Sequence, residues 1–243
     1  FKTIEDFKKE WKDRRLSFDR YFSDNPQSIS NSRVSMLLEC PLKHYMTYHE
    51  GMRVEKDVLA INMGKAVHMT LEEFHKTNGE TNPHEYFSYI WKLLEQAGYA
   101  VGVHGRSTAD ENRNVCMLLI EQYINSIYDI WNTYDDYKHL QYQFPGQTNP
   151  LRAIEMPFRI PMVDLETNEP IIPNYDLIGV IDLIEHYDNK VRIMDHKVLS
   201  INPREFLFKT DIQLALYSYA YRYLSKMGVF TNVNEHVEHI VGF

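Results

Sequence analysis

The chain has 243 residues, 44% of them hydrophobic and 25% charged, which is the balance of a folded globular protein of one domain with an elaboration. A formal charge of −8 counts against a dedicated nucleic-acid coat or packaging protein, yet leaves room for an enzyme whose acidic site is offset by cations. Two cysteines, Cys40 and Cys116, argue against a disulfide scaffold and suit a reducing, cytoplasmic setting, and no apolar run approaches the roughly 20 residues of a membrane span.

Residues 1–24 mix both signs of charge around Phe7, Trp11, Leu16 and Phe18, the pattern of a surface helix, with a DNA-touching arm as the alternative. Residues 1–29 are therefore set apart as an N-terminal helical arm. Ser30, Asn31 or Ser32 can cap a helix running to about Glu50, which Pro41 should kink or divide in two. A second helix is predicted over about 62–77, with Met63, Val67, Leu71 and Phe74 on one face. Two more follow at 84–97 and about 109–137, forming a helical insert over about 81–140.

The character changes near Pro150. "LRAIEMPFRIPM", "YDLIGVIDLIEHY" and "KVRIMDHKVL" read as three strands, followed by a helix over about 206–226 and a last strand, "HVEHIVGF". The order implies an α/β fold: a mixed central sheet flanked by helices, in one domain over 30–243.

The third strand carries an acid and a base, Asp195 and Lys197, among apolar neighbours, where ionised groups are costly unless paired or bound to metal. A tight hairpin centred on Asp188 and Asn189 would pair residues whose numbers sum to 377. That register sets Asp182 directly across from Asp195, Cβ atoms about 5 Å apart. Two like charges so placed are destabilising, and a divalent cation between them reverses the sign. Lys197, two residues on, would share their face and could orient an attacking water or neutralise charge as a phosphodiester is cut. A structural Asp–Lys pair at a sheet edge is the plainer alternative for Asp195 and Lys197 taken alone. His68 and Glu72 lie four apart on one helix face, as do Gln213 and Tyr217. Carboxylates with one imidazole suit Mg²⁺ or Mn²⁺.

Taken in order, these pieces resemble the RecB-like branch of the PD-(D/E)XK nuclease superfamily, related to CRISPR-associated and AddB-type nuclease domains. "SISNSRVSMLLECPLKHYMTY" resembles that branch's N-terminal Ser-x-Ser-Arg…Cys-Pro motif. "GKAVHMTLEEF" resembles its Gly-x-x-x-His helix, "GVIDLI" its Gly-x-x-Asp strand, "IMDHKV" its Asp-x-Lys strand and "QLALYSYA" its Gln-x-x-x-Tyr helix. The resemblance implies a restriction-endonuclease-like core and a metal-dependent DNA nuclease, an exonuclease of recombination, repair or phage DNA processing. It implies His68, Asp182, Asp195 and the carbonyl of His196 as metal ligands, and Lys197 as the catalytic lysine. It adds Glu155 as an outer-sphere or second-metal carboxylate. Gln213, Tyr217, Ser32 and Arg33 would position DNA, with Lys43 and Lys65 as further contacts, while Glu72 would support the helix or contact His68. DNA is the implied partner, beside a helicase or recombination protein. Several relatives hold an iron–sulfur cluster with four cysteines. Cys40 matches the first, but Cys116 matches none, so no cluster is expected in this chain. The other readings are a nuclease-fold module that binds DNA or protein without cutting, and an RNA-cleaving enzyme of the same fold.

Overall fold

A computed structural model describes residues 3–9, 11, 28–52, 59–100, 103–104, 107–198, 212–233 and 240–242. Residues 4–9 are helical. The labelled elements then run β1 (Ser28–Ile29), α1 (Asn31–Glu39), α2 (Pro41–Tyr48), α3 (Leu59–Lys76), α4 (Pro83–Ala97), β2 (Val103–His104), β3 (Ser107–Thr108), α5 (Ala109–Thr133), β4 (Lys138–His139), β5 (Gln141–Tyr142), β6 (Leu151–Arg152), β7 (Ile154–Pro161), β8 (Asp176–Tyr187), β9 (Lys190–Met194), α6 (Ile212–Lys226) and β10 (Ile240–Gly242). The chain forms two compact units. One comprises Phe1–Leu16, Lys56–Tyr137 and His196–Asn202; the other comprises Ser17–Glu55, Lys138–Asp195 and Pro203–Phe243.

The first unit is helical. The expected stripe of α3 is buried, Met63, Val67, Leu71 and Phe74 all facing its core with Ile90, Trp91 and Leu94 of α4 and Ile120, Ile124 and Ile127 of α5. Asn82 caps α4 at its start and Gly98, in the left-handed conformation, ends it. A capping box between Thr108 and Glu111 starts α5. Phe7 and Trp11 lie in this core rather than on a surface, and the Trp11 indole donates to the Asn62 side chain at 3.1 Å. The mixed-sign pattern that suggested a surface helix belongs to the polar residues between those two anchors. Of the expected helix over 1–24, residues 12–24 lie outside the described residues.

The second unit is built on a six-stranded mixed sheet with β8 at its centre. Along one edge β8 pairs antiparallel with β7 and then with β4; along the other it pairs parallel with β1 and then antiparallel with β9, which in turn pairs parallel with β10. Helix α6 packs on β7, β8 and β9, and α1 packs against α6. Ser30 is the residue that caps α1, and Pro41 divides the expected long helix by starting α2 at its first turn. Tyr217, Ala220, Tyr221 and Leu224 turn the buried face of α6 to the sheet's core. The start expected for that helix, 206–211, and most of the last expected strand, 236–239, lie outside the described residues.

Gly179 of β8 lies opposite Phe158 of β7, and a Cβ there would come within 2.4 Å of the Phe158 ring. The glycine makes room for that ring, which in turn stands edge-on to Tyr217, centroids 6.1 Å apart.

Candidate active site

The hairpin of β8 and β9 turns on Asp188 and Asn189, both at positive φ (54° and 55°), the signature of a two-residue type I′ connection. Its pairs, from Tyr187↔Lys190 to Leu183↔Met194, sum to 377 throughout, the register expected from the sequence. The ladder stops one pair short of Asp182 and Asp195. On that edge β8 pairs with β1 at Leu177 and with β9 from Leu183, so residues 178–182 have no ladder partner there among the described residues. Asp182 stands at the mouth of this opening. Strand β9 ends at Met194, and Asp195 to Val198 continue without regular structure, a shorter strand than the sequence suggested.

On the opposite edge, the pairs Ile154↔Leu183 and Met156↔Ile181 bracket Glu155, bringing it beside Asp182. Glu155 holds φ at +47°, a left-handed conformation inside a strand. For a non-glycine residue this costs about 1–3 kcal/mol and is characteristic of functional sites. Glu155 on β7, Asp182 on β8 and Asp195, just past the end of β9, are all near enough for their charges to act on Tyr217.

Helix α6 supplies what faces them. The Gln213 amide donates to Asp195 Oδ1 at 2.7 Å and to the Tyr217 hydroxyl at 2.8 Å, and its oxygen accepts from the Asn31 side chain at 3.0 Å. Asp195 as a carboxylate can only accept, so the orientation of the Gln213 amide follows from its partners. Burial, then the charge of Asp182, followed by those of Asp195 and Glu155, pushes the Tyr217 phenol far above its ordinary range, partly opposed by the Gln213 hydrogen bond. Tyr217 therefore stays protonated.

In the helical unit, His68 Nε2 lies 2.7 Å from the carbonyl oxygen of His196. A carbonyl only accepts, so without a cation His68 donates there. The ring of His196 meets the Tyr123 hydroxyl at 3.0 Å, and desolvation, aided by the nearby His68, pushes its pKa down to about 3. Glu72 is buried and pairs with Lys76 one turn on. Lys65 reaches Trp11, Nζ lying 5.2 Å from the ring centroid, and Lys43 pairs with Glu39 at 3.1 Å. Arg33 donates to the Ser28 carbonyl at 2.5 Å and lies over the Tyr48 ring, so it ties α1 and α2 to β1. Ser32 is exposed on the first turn of α1, and Lys197 is exposed beyond β9.

A model of the PD-(D/E)XK nuclease superfamily matches residues 28–234. The chain belongs to that superfamily. None of the curated proteins matches it. The mixed sheet with its forked central hairpin is consistent with the restriction-endonuclease-like fold of these nucleases, which act on nucleic acid with divalent metals. The residues present suit such an ion. Hard carboxylate oxygens with one imidazole are donors of the Mg²⁺ and Mn²⁺ class. The 2.7 Å between His68 Nε2 and the His196 oxygen is close to the roughly 3 Å between neighbouring donors of an octahedral ion with 2.1 Å bonds. No described helix is long and apolar enough to cross a membrane.

Sequence reasoning missed three members of these networks: Asn31, His75 and Tyr123. Asn31 reads in the sequence only as a cap candidate, though its side chain donates to Gln213. His75 follows His68 by two helical turns, a spacing that puts both on one face of α3. Tyr123 lies in α5 among several aromatic residues, with no spacing to distinguish it from core.

Proposed function

We propose that the protein is a Mg²⁺- or Mn²⁺-dependent deoxyribonuclease, an exonuclease of DNA recombination, repair or phage DNA processing. The observation that carries this reading is the grouping of Glu155, Asp182 and Asp195 around Tyr217, at the open fork of the sheet. It gathers three like charges, one of them on strained backbone, an arrangement that a cation would stabilise.

In this reading Asp182, Asp195, the carbonyl of His196 and His68 ligate the cation, with Glu155 in its outer sphere or at a second ion. Asp195 and His196 are joined by one peptide bond, so the carboxylate fixed by Gln213 and the carbonyl facing His68 are consecutive donors. A bound divalent cation polarises the scissile phosphate and makes an attacking water acidic. Lys197, exposed just past these donors, orients that water, accepts its proton or offsets the charge that develops on the phosphate. Gln213 holds Asp195 in place, and Tyr217, kept protonated, offers a neutral hydroxyl beside the carboxylates. In this reading Ser32 and Arg33, at the start of α1, meet the DNA backbone. We propose one nuclease domain over 30–243, since the family match extends through residues of both units. A helicase or recombination protein would supply the ends, in the cytoplasm, where the free thiols Cys40 and Cys116 stay reduced.

The test is cleavage of end-labelled linear single-stranded and double-stranded DNA beside a closed circle, with Mg²⁺, with Mn²⁺ and with chelator. Linear DNA should disappear only with metal, and Lys197→Ala should slow the loss by about 10²–10⁴-fold with Mn²⁺ binding kept. Parental cleavage by Lys197→Ala would remove its assigned role. Cutting of the circle would make the enzyme an endonuclease. Metal binding with no cleavage of DNA or RNA would leave a non-cutting binding module.

A further inference from the structure

The helical unit holds a polar chain whose purpose is not packing. His75 of α3 is 1% exposed, its ring set among those of Phe74 and Trp131. Its Nε2 lies 2.7 Å from the hydroxyl of Tyr123 on α5, and the same hydroxyl lies 3.0 Å from Nε2 of His196. Both imidazoles stand nearly perpendicular to the Tyr123 ring, at 77° and 89°, so the hydroxyl addresses each ring edge. A phenol has one hydrogen to donate and lone pairs to accept. At most one of the two imidazole nitrogens can therefore be bare, and the other must carry a proton, so the three groups constrain one another's protonation and orientation.

The chain leads to the backbone of His196. The ladder of β9 ends at Met194, so sheet pairing does not set the peptide plane at 196. Its carbonyl nevertheless faces His68 Nε2 at 2.7 Å. A main-chain oxygen serves as a ligand only when its peptide is aimed. Here the residue that carries it is gripped through its own ring by a hydroxyl anchored to a buried histidine.

We propose that Tyr123, anchored by His75, is a positioning residue of the metal site: its hydroxyl holds His196 so that the 196 carbonyl and His68 present a ready-made pair of donors. This inference rests on the ligand set proposed above and extends it to the helical insert. Groups that orient metal ligands from behind typically change metal affinity about 10–100-fold when removed.

The experiment is Mn²⁺ binding followed by electron paramagnetic resonance of the free ion, for the parent, Tyr123→Phe, His68→Ala and Ile120→Val, with cleavage measured against Mn²⁺ concentration. Tyr123→Phe deletes one oxygen and keeps the ring. It should weaken Mn²⁺ binding about tenfold, while cleavage at saturating Mn²⁺ recovers to within about twofold of the parent. Ile120→Val, a core truncation in the same unit, should leave the Mn²⁺ affinity unchanged, which separates positioning from general loosening. Parental Mn²⁺ affinity in Tyr123→Phe, with His68→Ala weakened, would overturn this inference alone. A parent that binds no Mn²⁺, or His68→Ala that binds like the parent, would overturn the ligand set and this inference with it. If Tyr123→Phe does not fold, His75→Gln takes its place: weaker Mn²⁺ binding supports the anchor, and parental affinity overturns it.

Discussion

In the sheet-bearing unit, Asp182 and Asp195 owe their places to main-chain pairing that starts at a two-residue turn and runs five pairs to the edge of an open fork. In the helical unit, His68 and its neighbours owe theirs to side chains meeting across packed helices: His75 from α3, Tyr123 from α5 and His196 from the segment after β9. Backbone register is discrete, because slipping by one residue reverses every side chain. Helix packing is graded, and a loop between helices can absorb a residue without moving the faces that touch. The carboxylates should therefore respond to a change of chain length abruptly, and the histidines only to a change of contact.

The sharpest break of this contrast is the deletion of Asn189. One residue cannot close a hairpin, so Lys190 must join Asp188 in the turn and β9 must shift by one. Val191 and Ile193, both buried, would be carried to the opposite face, and Asp195, which follows the strand, would be displaced relative to Asp182. Cleavage should fall by about a thousandfold or more, together with Mn²⁺ binding. Deleting Glu80 from the loop between α3 and α4 should leave cleavage within about threefold of the parent. Near-parental cleavage after deletion of Asn189 would show that register does not set the site.

The same contrast explains what could be read from the sequence. Asp188-Asn189 between apolar runs dictated the hairpin, and the hairpin dictated the sum of 377, which holds for every observed pair up to Leu183↔Met194, one short of Asp182 and Asp195. Ser30 and Pro41 marked the division of the first helices through capping and through a missing N–H. Glu155 was legible as a residue but not as a left-handed position, because no local pattern around an acid in a strand announces positive φ. Phe7 and Trp11 read as a surface pattern because the charges between them dominate the composition, whereas burial is decided by two large rings. Tyr123 was silent: a tyrosine in an aromatic helix has the same spacing whether it fills space or holds His196.

Two glycines of the motifs that suggested the family carry the comparison to stability. Gly179, in the sheet, accommodates the ring of Phe158, itself 1% exposed and set against Tyr217. Gly179→Ala would place a methyl group 2.4 Å from that ring and should cost about 2 kcal/mol, a fall in Tm of about 5 °C. Phe158→Leu in the same chain should recover part of it. Gly64, in α3, has nothing within 4 Å of its would-be Cβ. Gly64→Ala should instead gain about 0.5–1 kcal/mol through helix propensity. Equal Tm shifts of one sign in both variants would mean that Phe158 does not need the space.

The smallest effect separates the buried histidines. His75, in the helical unit, is hydrogen-bonded to Tyr123. His139, on β4 of the sheet, has its pKa lowered to about 4 by burial, with the charge of Arg152 adding to it. The folded sheet thus keeps His139 neutral where an unfolded chain would protonate it. Above pH 6.5 neither state binds the proton and stability is unaffected. Below 6.5 the unfolded state gains it first, so stability falls with falling pH until about pH 4, where the folded state also titrates. At pH 5.5 the loss should be about 1 kcal/mol. All three tryptophans, at 11, 91 and 131, belong to the helical unit, so their fluorescence would miss it. Hydrogen exchange at the Ile184 and Val191 amides follows the sheet instead. On acidification from pH 7 to 5.5, with exchange corrected for its intrinsic pH dependence, His139→Gln should lose about 1 kcal/mol less protection there than the parent. Identical losses would mean that the folded sheet admits a charged His139, and that β4 opens more readily than its buried place beside β8 implies.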